Sequence, residues 1–144
     1  MRAIEVSTVI QRPVAEVFAF VSNFENMPSW ETDFQAVERL TPGDTGLGSQ
    51  FRAHLKMPGA VVASTFTLTG YEPNQRVAFE GERAGPMKPV GSYLFESVAN
   101  GTRVTARPAP QPLGLFRLMA PLMAGAIEKQ NEAHLAKLKA VLED

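Results

Sequence analysis

From Phe34 to Arg107 apolar and polar residues alternate with a period of two, and only short runs of turn-forming residues interrupt the alternation. Successive side chains of an extended chain point to opposite faces, so this period predicts half-buried strands over residues 34–40, 50–57, 61–71, 76–82, 90–98 and 102–107. The separators TPGDTG, MPGA, EPNQ, ERAGPMKP and ANG are rich in the Gly, Pro and Asn that supply fixed or positive φ. Short connections join antiparallel neighbours, because a parallel pair needs a long crossover. An antiparallel meander is the economical topology.

The flanks read differently. Residues 3–10 place Ile4, Val6, Thr8 and Ile10 on one strand face, which brings the expected strand number to seven. Pro13 suits the first turn of a helix, and Val14, Val17, Phe18 and Val21 follow at helical spacing. FENMPSW adds a second short helical turn ending near Pro28, with Trp30 just beyond. The alternating prolines of RPAPQP, residues 107–112, predict a stiff extended connector outside any sheet ladder. Beyond it the pattern is helical to the end. Phe116, Met119, Met123, Ala126 and Ile127 form one apolar stripe and Leu135, Leu138, Val141 and Leu142 another, with Pro121 placed to kink the helix or split it in two.

A length of 144 residues suits one domain, 1–144, with a substantial core. Net charge is −1 and the basic residues are scattered, so the basic stripe of a nucleic-acid binder is missing. The chain has no cysteine, which excludes disulfides and thiolate chemistry and fits a reducing compartment. With no apolar h-region at the N-terminus, a cytoplasmic location is expected. The most apolar stretch, residues 113–127, is shorter than a bilayer span and contains Arg117, Pro121 and Gly125, so no transmembrane segment is expected.

Strand, two short helices, six strands and a long C-terminal helix is an order met in a known family. IQRPVAEVFAFVSNFENMPSW (10–30), GSYLFESVANGTRVTARP (91–108) and LAKLKAVLED (135–144) make the chain resemble the START-like, or SRPBCC, superfamily of polyketide cyclase/dehydrase-type proteins and pollen-allergen-like carriers. The likeness spans essentially the whole chain. It implies an α+β helix-grip fold: a seven-stranded curved antiparallel sheet wrapped around the long C-terminal helix, with two short helices after strand one. It also implies a cavity between sheet and helix.

Residues on the expected inner faces that could line this cavity are Phe51 and Leu55, Phe66 and Leu68, Phe79, and Tyr93 and Phe95, with Trp30 closing the second helical turn. The helix offers Phe116, Met119, Met123 and Ile127. The alternative for the same residues is a packed core without a cavity. Against it stand Ala53, Ser64, Gly91 and Ala106, which are small for filling the gap under a bent sheet.

Few polar residues suggest chemistry. His54 alternates with Ala53 and Leu55 and should point outward, whereas Gln130 and His134 lie near the extension of the helix stripe and could mark the polar end of the cavity or a face turned into water. Glu80, Glu82, Arg52, Lys56, Arg103 and Arg107 fall on the solvated sheet face as candidates for cross-strand ion pairs. Glu96 and Arg76 could face either way, depending on a bulge. Tyr93, His134 and Glu96 are the candidate proton-transfer residues. No metal-ligand spacing is present and the two histidines are far apart, so a metal site would need distant residues to converge; none is assigned, and no cofactor is expected.

These readings lead to a binder of a small hydrophobic or aromatic molecule, lipid- or polyketide-like. The alternatives are a polyketide aromatase/cyclase or dehydrase acting in the same cavity without metal, and a protein- or membrane-interaction module presenting residues 113–127. No nucleic-acid partner is expected, and the oligomeric state stays open.

Overall fold

A computed structural model describes residues 3–144; the first two residues of the N-terminal segment lie outside it. Strand β1 (Val6–Ile10) leads into helix α1 (Val14–Ser22) and a 3₁₀ helix (Phe24–Ser29). Strands β2 (Phe34–Arg39), β3 (Gln50–Met57), β4 (Ala60–Glu72) and β5 (Arg76–Gly81) follow. Next come β6 (Met87–Lys88), β7 (Val90–Val98), β8 (Gly101–Pro108) and β9 (Gln111–Pro112). A second 3₁₀ helix (Gly114–Met119) then opens into helix α2 (Ala120–Glu143).

The main sheet has seven strands in the order β1-β8-β7-β5-β4-β3-β2, all antiparallel, so the expected meander is present and β1 joins its far side. Pro13 stands one residue before α1, and its carbonyl accepts from the N–H groups of Glu16 and Val17 at 3.1 Å. Helix α1 buries Val17, Phe18 and Val21 against the sheet. Asn23 Oδ1 then accepts from the Glu25 N–H at 3.2 Å and caps the 3₁₀ helix.

Two bulges re-aim side chains. Between Leu68 and Gly70 the register shifts against β5, which brings Tyr71 to the inner face beside Phe18, ring centroids 5.2 Å apart. Between Phe34 and Ala36 the register shifts against β3; beyond that bulge Arg39 sits across from Phe51, its guanidinium 5.0 Å from the ring centre.

Two expectations for the connectors change. RPAPQP is not free of ladders: Pro108 ends β8 opposite Gly91, and Gln111–Pro112 pairs with Met87–Lys88 in a two-stranded sheet. The prolines are tolerated because intervening residues carry the donors, as where the Ala109 N–H reaches the Val90 carbonyl at 2.8 Å. Pro121 splits rather than kinks the C-terminal segment, since α2 starts in its first turn, where a missing N–H costs nothing.

The C-terminal half of α2 is fixed to β1 and its following turn. Lys139 Nζ donates to the Val9 carbonyl at 2.6 Å, Arg12 Nε to the Leu142 carbonyl at 2.7 Å, and the Gln11 N–H to Glu143 Oε2 at 2.9 Å. Leu135 and Leu138 are buried there, whereas farther back only Ala120 and Ala124 are. Among the described residues no helix is long and apolar enough to cross a membrane.

Candidate ligand cavity and its polar end

The interior between sheet and helix is filled at one end and open at the other. In the filled part Phe24 stacks on Phe51 and meets Phe66 and Phe79 edge-on, and Phe18 meets Phe95 edge-on at 5.0 Å. The open part is a cavity of about 450 Å³, within the range that holds small organic ligands.

Leu55, Phe66, Phe79 and Tyr93 form its sheet wall, and Met123 and Ile127 its helix wall. The other residues expected to line it stand elsewhere. Trp30 is buried one layer behind, edge-on to Tyr93 at 5.7 Å. Phe51, Leu68 and Phe95 face inward but belong to the filled core beneath α1 and the first 3₁₀ helix. Phe116 and Met119 are half exposed, because the 3₁₀ winding of residues 114–119 takes them off the α-helical stripe. Of the four small residues only Ala106 opens space. Ser64 donates to the Glu82 carbonyl at 2.8 Å, Ala53 is packed in the core, and the Phe79 ring fills the position above Gly91.

At one end the lining turns polar, with Glu31, Asp33, Gln130, Asn131 and His134. Glu31 and Asp33 sit in the turn between the first 3₁₀ helix and β2, where the Glu31 N–H bonds the Met27 carbonyl at 2.7 Å. Across from them, on α2, His134 Nδ1 lies 2.8 Å from Glu31 Oε1. That contact is off the line of a ring N–H, so it is charge proximity rather than an aligned hydrogen bond. His134 Nε2 lies 3.2 Å from Thr32 Oγ1, and Gln130 donates its amide to Asp33 Oδ2.

Burial raises the Glu31 pKa, the close contact and charge of His134 pull it back, and the net shift is upward. For His134 burial acts downward, but contact with Glu31 and the charges of Glu31 and Asp33 outweigh it and leave the imidazole above its ordinary value. Burial and then the charge of Glu31 push the Tyr93 phenol well above its ordinary value, which keeps it a neutral O–H donor. That hydroxyl lines the cavity and makes no hydrogen bond to another described residue.

Glu96, a candidate for proton transfer, is excluded from this site by its position. It faces solvent on the outer sheet face and pairs with Arg103, its partner across β7 and β8. Arg107 pairs with Glu5 at 2.7 Å, Glu80 lies 3.9 Å from Lys88, and Glu82 accepts from the Thr65 N–H at 2.9 Å. Lys56 is exposed between the inward Leu55 and Met57 and also borders the cavity mouth. Glu31 and Asp33 carried no signal in the sequence beyond following Trp30: they occupy an aperiodic turn, and their partner is about a hundred residues away.

The fold recurs widely among solved structures. DR_A0006 from Deinococcus radiodurans superposes with a TM-score of 0.68 at 21% identity, covering 99% of this chain and 98% of that one. The di-domain ARO/CYC BexL from the BE-7585A biosynthetic pathway gives 0.76 at 22% identity; 97% of this chain is covered, but it spans only 46% of the di-domain protein. Ara h 8.0201 gives 0.71 at 12% identity, covering 98% of this chain and 97% of that one. At these identities the likeness establishes the helix-grip fold. No curated protein matches the sequence. A family model described as polyketide cyclase / dehydrase and lipid transport matches residues 1–143, so the chain belongs to that family.

Proposed function

We propose that the chain binds one small hydrophobic or aromatic molecule between its sheet and α2, with the apolar body against Leu55, Phe79, Met123 and Ile127 and a polar group turned toward Tyr93 and His134. The observation that carries this reading is an apolar cavity of about 450 Å³ closed by a polar cluster at one end. Affinity would come from apolar burial, about 25 cal/mol per Å² removed from water, and orientation from the few polar groups. Met123 would let the wall adapt to ligand shape. Native mass spectrometry of protein purified from its own cells, with extraction of any bound compound, tests this; a stoichiometric apolar adduct is expected. Absence of an adduct, together with no saturable uptake of any apolar compound offered, overturns it.

A second reading, proton transfer in the same cavity, is favoured by the unpartnered Tyr93 hydroxyl facing the cavity close to a buried imidazole–carboxylate contact. Tyr93 would hold a substrate carbonyl by its O–H, and His134, positioned by Glu31 and Thr32, would move the proton, as cyclisation or dehydration of a poly-β-ketone requires. The family description and the aromatase/cyclase neighbours support this reaction class. Tyr93→Phe and His134→Gln should each lower turnover of such a substrate about 100-fold or more while leaving its binding within a few-fold. Unchanged rates in both variants dispose of it.

A further inference from the structure

We propose that Glu31, Asp33 and His134 form a site for one divalent metal ion of the zinc or manganese class at the polar end of the cavity. One oxygen of each carboxylate and a ring nitrogen of His134 lie within 4.8 Å of one another. Ligands at about 2.1 Å from a shared ion stand at most about 4.2 Å apart, so a movement of well under 1 Å per side chain brings all three to one centre.

The His134 contact supplies the independent observation. His134 is 5% exposed, and its Nδ1 makes no aligned hydrogen bond, standing instead in ion-pair contact with Glu31. Nε2 lies 3.2 Å from Thr32 Oγ1, and in the tautomer that donates from Nε2 to this hydroxyl Nδ1 carries a lone pair. A lone pair 2.8 Å from a carboxylate oxygen repels it unless a proton or a metal ion lies between them. A proton on Nδ1 would serve if it pointed at Glu31, but the contact is off that line. Two adjacent ligands of one metal stand about 3.0–3.4 Å apart and need no such alignment.

The surroundings agree. The Gln130 amide holds the Asp33 carboxylate and Thr32 holds the imidazole, which is the outer-shell support that orients metal ligands. Two carboxylates and a neutral imidazole carry a charge of about −2, which a divalent ion neutralises, and a donor set of two oxygens and one nitrogen selects zinc, manganese or ferrous ions over soft metals. The residues come from a turn and a helix about a hundred positions apart, which is why no ligand spacing shows in the sequence.

The test needs no apolar ligand and so is independent of the binding reading. The full chain, dialysed against chelator, is titrated calorimetrically with Zn²⁺ and with Mn²⁺, and Glu31→Gln and Asp33→Asn are titrated beside it. One equivalent of Zn²⁺ or Mn²⁺ should bind with micromolar or tighter Kd, and each amide variant should weaken it at least tenfold. In the unaltered chain, Co²⁺ should shift the ring resonances of only one of the two histidines, His134 and not His54. No saturable binding, equal affinity in both variants, or a shift of His54 alone overturns the proposal.

Discussion

At Gly101 no other residue fits. Its φ is +150°, and a Cβ placed there would lie 2.0 Å from the Ile10 carbonyl oxygen at the end of β1. Backbone strain and the forced separation of β1 from the β7–β8 turn act together, so Gly101→Ala should cost about 2–4 kcal/mol in urea unfolding. A loss below about 0.5 kcal/mol would show that the turn yields freely. Ala106 is the opposite case. It is buried on β8 beside Tyr93, and space remains in front of it. Ala106→Phe should fill part of the cavity, weaken uptake of an apolar fluorescent dye at least tenfold, and shift Tm by no more than a few degrees. Unaltered dye affinity would place the bound dye outside the cavity.

Among the elements, the first 3₁₀ helix depends on one side chain from β2. Arg39 lies over Phe51 and bonds Asn23 Oδ1, Glu25, Thr45 and the Gly43 carbonyl. Arg39→Ala should destabilise the fold by about 1–2 kcal/mol in denaturant titration, and Arg39→Lys should recover only part of that, since one ammonium cannot serve so many acceptors. At the other end of the molecule, Glu143 has its pKa lowered by hydrogen bonds from Lys139 and the Gln11 N–H. A lowered folded-state pKa gives stability that is present above the ordinary value near 4.5 and is lost as pH falls through the folded value. The protection factors of the amides at the end of α2 should therefore fall below about pH 4, and this acid response should vanish in Glu143→Gln. The strands could be read from sequence because each spans several periods and is bounded by turn residues. The pairing of β6 with β9 could not, because two residues are too few to show a period. The bulges at Thr69 and Gln35 could not either, since each is one residue added to an unchanged alternation. Of the site, Tyr93 and His134 followed from periodicity, whereas Glu31 and Asp33 required the fold, because topology alone brings the turn after Trp30 to α2.

For the molecule as a whole, α2 is held unevenly. Its last turns are tied by Lys139, Arg12 and Glu143 to β1 and the turn after it, while residues 120–131 lie over the cavity with Leu122 exposed and Met123 and Ile127 only half-buried. Hydrogen exchange should be faster over residues 120–131 than over 134–142, and an apolar occupant should slow the first set more than the second. Equal protection of both halves would contradict that picture. A helix anchored at one end and resting on a void at the other behaves as a latch whose stiffness is set far from its tongue. How long a guest stays would then be governed less by the walls that touch it than by the three polar ties at the distant end, so loosening Lys139 should shorten residence time without changing a single contact to the guest.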